Sequence, residues 1–172
     1  MSEETTPLPA TPLQLGMDLL SNAAIAIAVA ALLGLVLVQG WQVIARYVIN
    51  DSPSWTEPVT VLLLTTAMSL GAAAGVHTNR HFGFFLLADA TGPRLRRLLH
   101  ALSPLVIAAI GAVMAYWGAV LLLDGIGIKI AGAPMPQSIG YLPLSIGGVL
   151  MVVFALYRLL LVLRAPLTDE AR

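Results

Sequence analysis

The chain of 172 residues contains no cysteine. That absence excludes disulfides, thiolate metal sites and cysteine nucleophiles. Charge is scarce as well. Asp, Glu, Lys and Arg make up 10% of the sequence, against about 25% in an ordinary soluble domain. Nine basic residues balance nine acidic ones, so the basic excess that marks a nucleic-acid-binding domain is missing. There is no Gly-rich phosphate loop. The serines and histidines lie on no recognisable hydrolase motif, so no nucleophile, base and orienting group can be assembled, and the chain reads as something other than an enzyme. The N-terminus, "MSEETTPLPATPLQLG", has neither the positive start nor the small-residue cleavage site of a secretory signal. The first apolar run is therefore expected to be a retained helix, preceded by a disordered tail over residues 1–12.

What is abundant is apolar. Hydrophobic residues make up 58% of the chain and the mean hydropathy is +0.88, which predicts an all-α integral membrane protein. A spanning helix needs ~20 mostly apolar residues, and four segments qualify: about 17–41, 57–77, 98–123 and 139–163. They define a four-helix membrane domain over 13–165, followed by a short tail over 166–172. Between the second and third spans, Phe82 to Leu87 is apolar but too short to cross, and its charged flanks predict an element lying in the interface. Pro93 suits the opening of the third helix, where its missing N–H costs nothing.

Lys and Arg set the orientation. Arg80, Arg94, Arg96, Arg97, Arg158, Arg164 and Arg172 would share one side, and only Arg46 and Lys129 the other. Seven against two places both termini in the cytoplasm and turns the 42–56 and 124–138 loops outward. The middles of the spans contain no Asp, Glu, Lys, Arg or His. Charge within a membrane usually marks an ion path, a proton relay or a substrate site, so the chain is not expected to carry a substrate itself. Thr65, Thr66, Ser69 and Ser145 are the polar residues nearest mid-membrane, and such groups bond their own backbone or a neighbouring helix. "GAAAG", with Gly71 and Gly75, is a G-x-x-x-G that permits close helix approach.

His77 and His81 are four residues apart, and His100 opens the next helix on the same side. Three histidines there suggest haem or metal, so a membrane-anchored haem-binding electron-transfer subunit is an alternative. Against it, "HTNRH" leaves the membrane, and no Asp or Glu stands nearby in sequence as a further ligand. A dimeric four-helix exporter is a third reading. It needs an embedded acid, and Glu57 at a helix end serves poorly.

The stretch "WQVIARYVINDSPSWTEPVTVLLLTTAMSLGAAAGVHTNRHFGF" resembles the small membrane subunit, DctQ-type, of tripartite ATP-independent periplasmic (TRAP) transporters. An Arg-aromatic pair, Arg46-Tyr47, closes the first helix. A short polar loop leads to a Trp-x-Glu opening, Trp55 and Glu57. A small-residue helix with Gly71-Ala72 at its centre closes on Arg80-His81. Later, Tyr141 and Leu142-Pro143-Leu144 are similar to the start of the family's fourth helix. The resemblance covers about 40–163. It departs at Pro58, where the family commonly has a second acid.

The resemblance implies a small scaffold subunit in the bacterial inner membrane. Its implied partners are a large transport subunit, a periplasmic substrate-binding protein and membrane lipids. It implies sodium-coupled uptake of organic acids, with coupling in the large subunit and no cofactor or metal here. Trp55 becomes an outer interface anchor, and Arg80 and His81 an inner one. Glu57 is either a helix-dipole cap or an interface residue. Arg46 and Glu57 can form an ion pair within the chain or across to a partner.

Overall fold

The computed structural model describes residues 11–78 and 93–164. Helix α1 runs Pro12–Ile44 and continues into a π-helical turn, Ala45–Ile49. Helices α2, α3 and α4 run Thr56–His77, Pro93–Asp124 and Ser138–Arg164. All four contain stretches long and apolar enough to cross a membrane. The expected interfacial element between the second and third spans, and both tails beyond residues 11 and 164, lie outside the described residues.

Local signals explain where the helices begin and end. Thr11 caps α1, its Oγ1 accepting from the Gln14 N–H at 3.3 Å, and Pro12 occupies the first turn. The helix thus starts five residues before the apolar run that begins at 17. Its 33 residues extend about 50 Å at 1.5 Å per residue, well beyond a ~30 Å hydrocarbon core. At the far end the π-helical turn stops at Asn50, whose left-handed backbone (φ 60°) is a conformation Asn tolerates. Helix α2 starts on a turn closed by buried Thr56, whose hydroxyl donates to the Pro53 carbonyl at 2.8 Å.

The helices form an open row in the order α1–α2–α4–α3, each packed extensively on its neighbours in that order. Burial agrees with this. One third of the apolar windows of α2 and α4 is buried, but only 17% of α1 and 11% of α3, so the last two are the outer helices. Helices α1 and α2 are antiparallel. Gln39–Thr60, Gly34–Leu63 and Asp18–His77 step evenly down their interface. Their contact sets the alanines Ala24 and Ala28 of α1 against Leu70 and Ala74 of α2.

Helix α4 approaches α3 closely at glycines. A Cβ on Gly148 would stand 2.5 Å from the Ala115 nitrogen, and one on Gly118 2.8 Å from the Ser145 nitrogen. Between α2 and α4, Ser69 Oγ lies 2.7 Å from the Thr65 carbonyl and 2.9 Å from the Pro143 carbonyl. Thr65 and Thr66 bond back to Val61 and Leu62, and Ser145 reaches the Ala115 carbonyl of α3. The mid-membrane hydroxyls are therefore used on helix backbone, as expected.

Candidate functional site

Two ends of the row carry polar chemistry. At one end the 50–55 and 125–137 loops meet. Ser54 Oγ donates to the Gly132 carbonyl at 3.0 Å. Gly132 has φ +87°, and a Cβ there would lie 2.5 Å from the Ser54 carbonyl oxygen, so only glycine fits this contact. The second loop folds back on itself, with the Ile130 N–H donating to Met135 and the Gln137 N–H to Ile128.

At this end Arg46 and Tyr47 lie in the π-helical turn and Glu57 in the first turn of α2. Together with Gln39, Gln42 and Thr60 they line a groove of about 550 Å³. The antiparallel pair thus brings Arg46 and Glu57 to one place, but they form no ion pair there. Both side chains are exposed, so the expected pairing within the chain is not made. Trp55 stands beside them, 42% exposed, and is not part of the groove lining. It makes no side-chain cap on α2. Glu57, one residue into the helix, is well placed for the positive end of the helix dipole. Tyr141 lines a second groove on the other flank of α2 and accepts a hydrogen bond from Gln137 Nε2 at 3.0 Å.

The opposite end holds a cluster that joins three helices. His77, the last residue of α2, is buried, and its Nε2 lies 2.6 Å from Asp18 Oδ1 of α1. Arg158 of α4 donates to the His77 carbonyl, one of the backbone oxygens that a helix C-terminus leaves without an intrahelical partner. The imidazole sits against Phe154 and Tyr157, with ring centroids 5.1 and 6.0 Å away. His77 thus meets an acid through Nε2, a guanidinium through its carbonyl and two aromatic rings through its imidazole, while its buried Nδ1 has no hydrogen-bond partner among the described residues.

Sequence reasoning missed this cluster because Asp18 and His77 are 59 positions apart. The signal was present: in an antiparallel pair the start of the first span and the end of the second stand at one level. The expectation that no acid accompanies the histidines is corrected by Asp18. Among the described residues no group of three His, Cys, Asp or Glu side chains is gathered closely enough to hold a metal ion. Arg80 and His81 lie outside the described residues.

Gly71, the first glycine of the α2 G-x-x-x-G, makes no close helix approach among the described residues. Gly71 is exposed, and a Cβ there would meet nothing within 4 Å. Gly75 is half-buried. The buried face of α2 runs through Leu70, Ala73, Ala74 and His77, a helical spacing that turns Gly71 away. The close approaches belong instead to Gly111 and Gly118 of α3 and to Gly147 and Gly148 of α4.

Residues 35–165 match the family described as tripartite ATP-independent periplasmic transporters, DctQ component. No curated protein matches the chain. The matched segment includes the loop-end groove, His77 and Arg158, and begins after Asp18.

Proposed function

Because the chain belongs to the DctQ-component family of tripartite ATP-independent periplasmic transporters, and so is the small membrane subunit of such a transporter, we propose that it serves as a fixed scaffold. It braces the large transport subunit and helps to dock the periplasmic substrate-binding protein. The complex sits in a bacterial inner membrane, takes up organic acids and is driven by sodium, with coupling and substrate binding in the large subunit. Both termini lie in the cytoplasm, and the loop end bearing Arg46, Trp55 and Glu57 faces the periplasm.

The observation that supports this reading best is the disposition of ionisable groups. Those of the described residues lie toward helix ends, and Asp18, His77 and Arg158 join three helices at one end of the row rather than at mid-membrane. A carrier needs polar groups or broken helices near mid-membrane. Here the mid-membrane hydroxyls are bonded to helix backbone. The unpaired Arg46 and Glu57 at the loop end offer charge to a partner. The test is reconstitution. The chain should co-purify with a much larger membrane protein, and liposomes holding this chain alone should accumulate nothing. Sodium-driven uptake by those liposomes would overturn the scaffold reading.

A further inference from the structure

The two cations of the loop end, Arg46 and Lys129, belong to different grooves. The Arg46 groove also contains Glu57. The second groove, about 660 Å³, holds Lys129 and no acidic side chain. It lies between α2 and the start of α4, roofed by the 129–131 turn. Its polar groups cluster at the loop end: Lys129, Gln137 and Tyr141. Lys129 is exposed and makes no ion pair among the described residues. Tyr141 Oη accepts from Gln137 Nε2, which leaves the phenol's own proton to donate.

From that rim the groove runs down α2 through Val61 and Leu62 to Thr65, with Leu144 on the facing helix. Thr65 lies seven residues beyond Pro58, about 10 Å deeper along the helix. Its hydroxyl is bonded to the Val61 carbonyl at 2.8 Å, so it adds no free donor to the deep wall. The groove therefore pairs a cationic, hydrogen-bond-donating rim with an apolar floor parallel to the helices.

We propose that this groove is a binding site for one anionic phospholipid, with the headgroup phosphate held by Lys129 and Tyr141 and an acyl chain laid between α2 and α4. The site rests on the membrane embedding of the four helices and not on the transporter reading. Headgroup charge selects the lipid. A basic side chain near a bilayer surface favours an anionic headgroup by about five- to tenfold, and here no acid in the groove opposes it.

The test uses the full-length chain in mild detergent, with bound lipid counted by native mass spectrometry. Phosphatidylglycerol, phosphatidylcholine of the same acyl composition and free glycerol phosphate are compared. The wild type should retain one phosphatidylglycerol about five- to tenfold over phosphatidylcholine, and no glycerol phosphate. Lys129→Gln should lower phosphatidylglycerol to the phosphatidylcholine level, and Lys129→Arg should preserve the preference. Leu144→Trp, which fills the floor, should lower retention of both lipids. Arg46→Gln, at the same end but outside the groove, should change nothing. Equal retention of the two lipids by the wild type would overturn the proposal. So would a preference that survives Lys129→Gln or falls equally with Arg46→Gln. If the wild type retains no lipid and a cysteine placed at Leu144 is shielded only when the large subunit is present, the groove belongs to a protein helix instead.

Discussion

Gly148→Ala is the sharpest test of the packing. The new Cβ would stand 2.5 Å from the Ala115 nitrogen and 2.8 Å from the Gly111 carbonyl oxygen. Both are backbone atoms of α3 and cannot rotate away. Ordinary contact begins near 3.4 Å, so α3 and α4 must part by nearly 1 Å at this point. Overpacking of that kind costs about 1–3 kcal/mol. Better helix propensity returns up to about 1 kcal/mol. A net loss of about 0–2 kcal/mol against wild type remains when the full propensity gain is realised, which for a chain of this size lowers the unfolding temperature by up to about 8 °C. Against a Gly→Ala control that gains propensity without overpacking, the difference is the full overpacking cost of about 1–3 kcal/mol.

The measurement is thermal unfolding of the purified chain in detergent, with Gly71→Ala as the control. Gly71 has no atom within 4 Å of its would-be Cβ, so that variant should unfold at or slightly above the wild-type temperature. If Gly148→Ala unfolds where Gly71→Ala does, the inferred α3–α4 approach is wrong. The control carries a second readout. If the exposed glycine face of α2 seats a helix of the large subunit, Gly71→Ala should leave the chain's own stability intact yet reduce co-purification.

Three further outcomes are expected. Single cysteines placed in this cysteine-free chain at Ser52 and Gln137 should react with an impermeant thiol reagent from outside the cell, and those at Ser2 and Thr168 should not; the opposite pattern would reverse the orientation. Arg46→Gln and Glu57→Gln should each shift the stability of the isolated chain by no more than about 0.5 kcal/mol, because both groups are exposed and unpaired, but should weaken assembly with the large subunit; intact co-purification of both variants would remove these residues from the interface. Asp18→Ala should cost about 1–3 kcal/mol by stranding the buried imidazole of His77, whereas Asp18→Asn keeps a hydrogen-bonding partner and should cost less. Equal melting of these two variants would show that the Asp18–His77 contact contributes nothing specific.

The helices were largely legible because composition alone separates lipid-facing from aqueous sequence. The second span, read as 57–77, is Thr56–His77, and the fourth, read as 139–163, is Ser138–Arg164. Pro93 opens α3 as its chemistry suggests. The start of α1 was also signalled, by Thr11 followed by Pro12, but a hydropathy window outweighs a cap. What hydropathy cannot reveal is neighbour choice. In lipid, Leu, Ile and Val gain nothing by turning inward, so the helical stripe that identifies a core in water is missing. Gly111 and Gly118, seven residues apart on α3, and the Gly147-Gly148 pair on α4 were the available signal. The G-x-x-x-G of α2 drew attention because it fits a known spacing, yet its first glycine turns away from the row.

The same physics explains how an open row can be stable with two outer helices so exposed. An uncovered Leu or Val on α3 faces acyl chains as apolar as itself, so its exposure carries none of the cost it would have in water. Association must come from fit between small residues, and register from directional bonds placed where fit alone is degenerate. The chain supplies such bonds at three depths. Ser54 and Gly132 tie the loops at one end, Ser69 and Pro143 tie α2 to α4 within the membrane, and Asp18, His77 and Arg158 tie α1, α2 and α4 at the other end. Interhelical hydrogen bonds in membranes contribute about 0.6 kcal/mol each on average, too little to hold the helices together. They are enough to disfavour sliding, because moving α4 by one turn would break the Ser69–Pro143 contact, the Arg158–His77 hydrogen bond and the Gly148 contact at once. The row is thereby held in one register by contacts at both ends and at its middle.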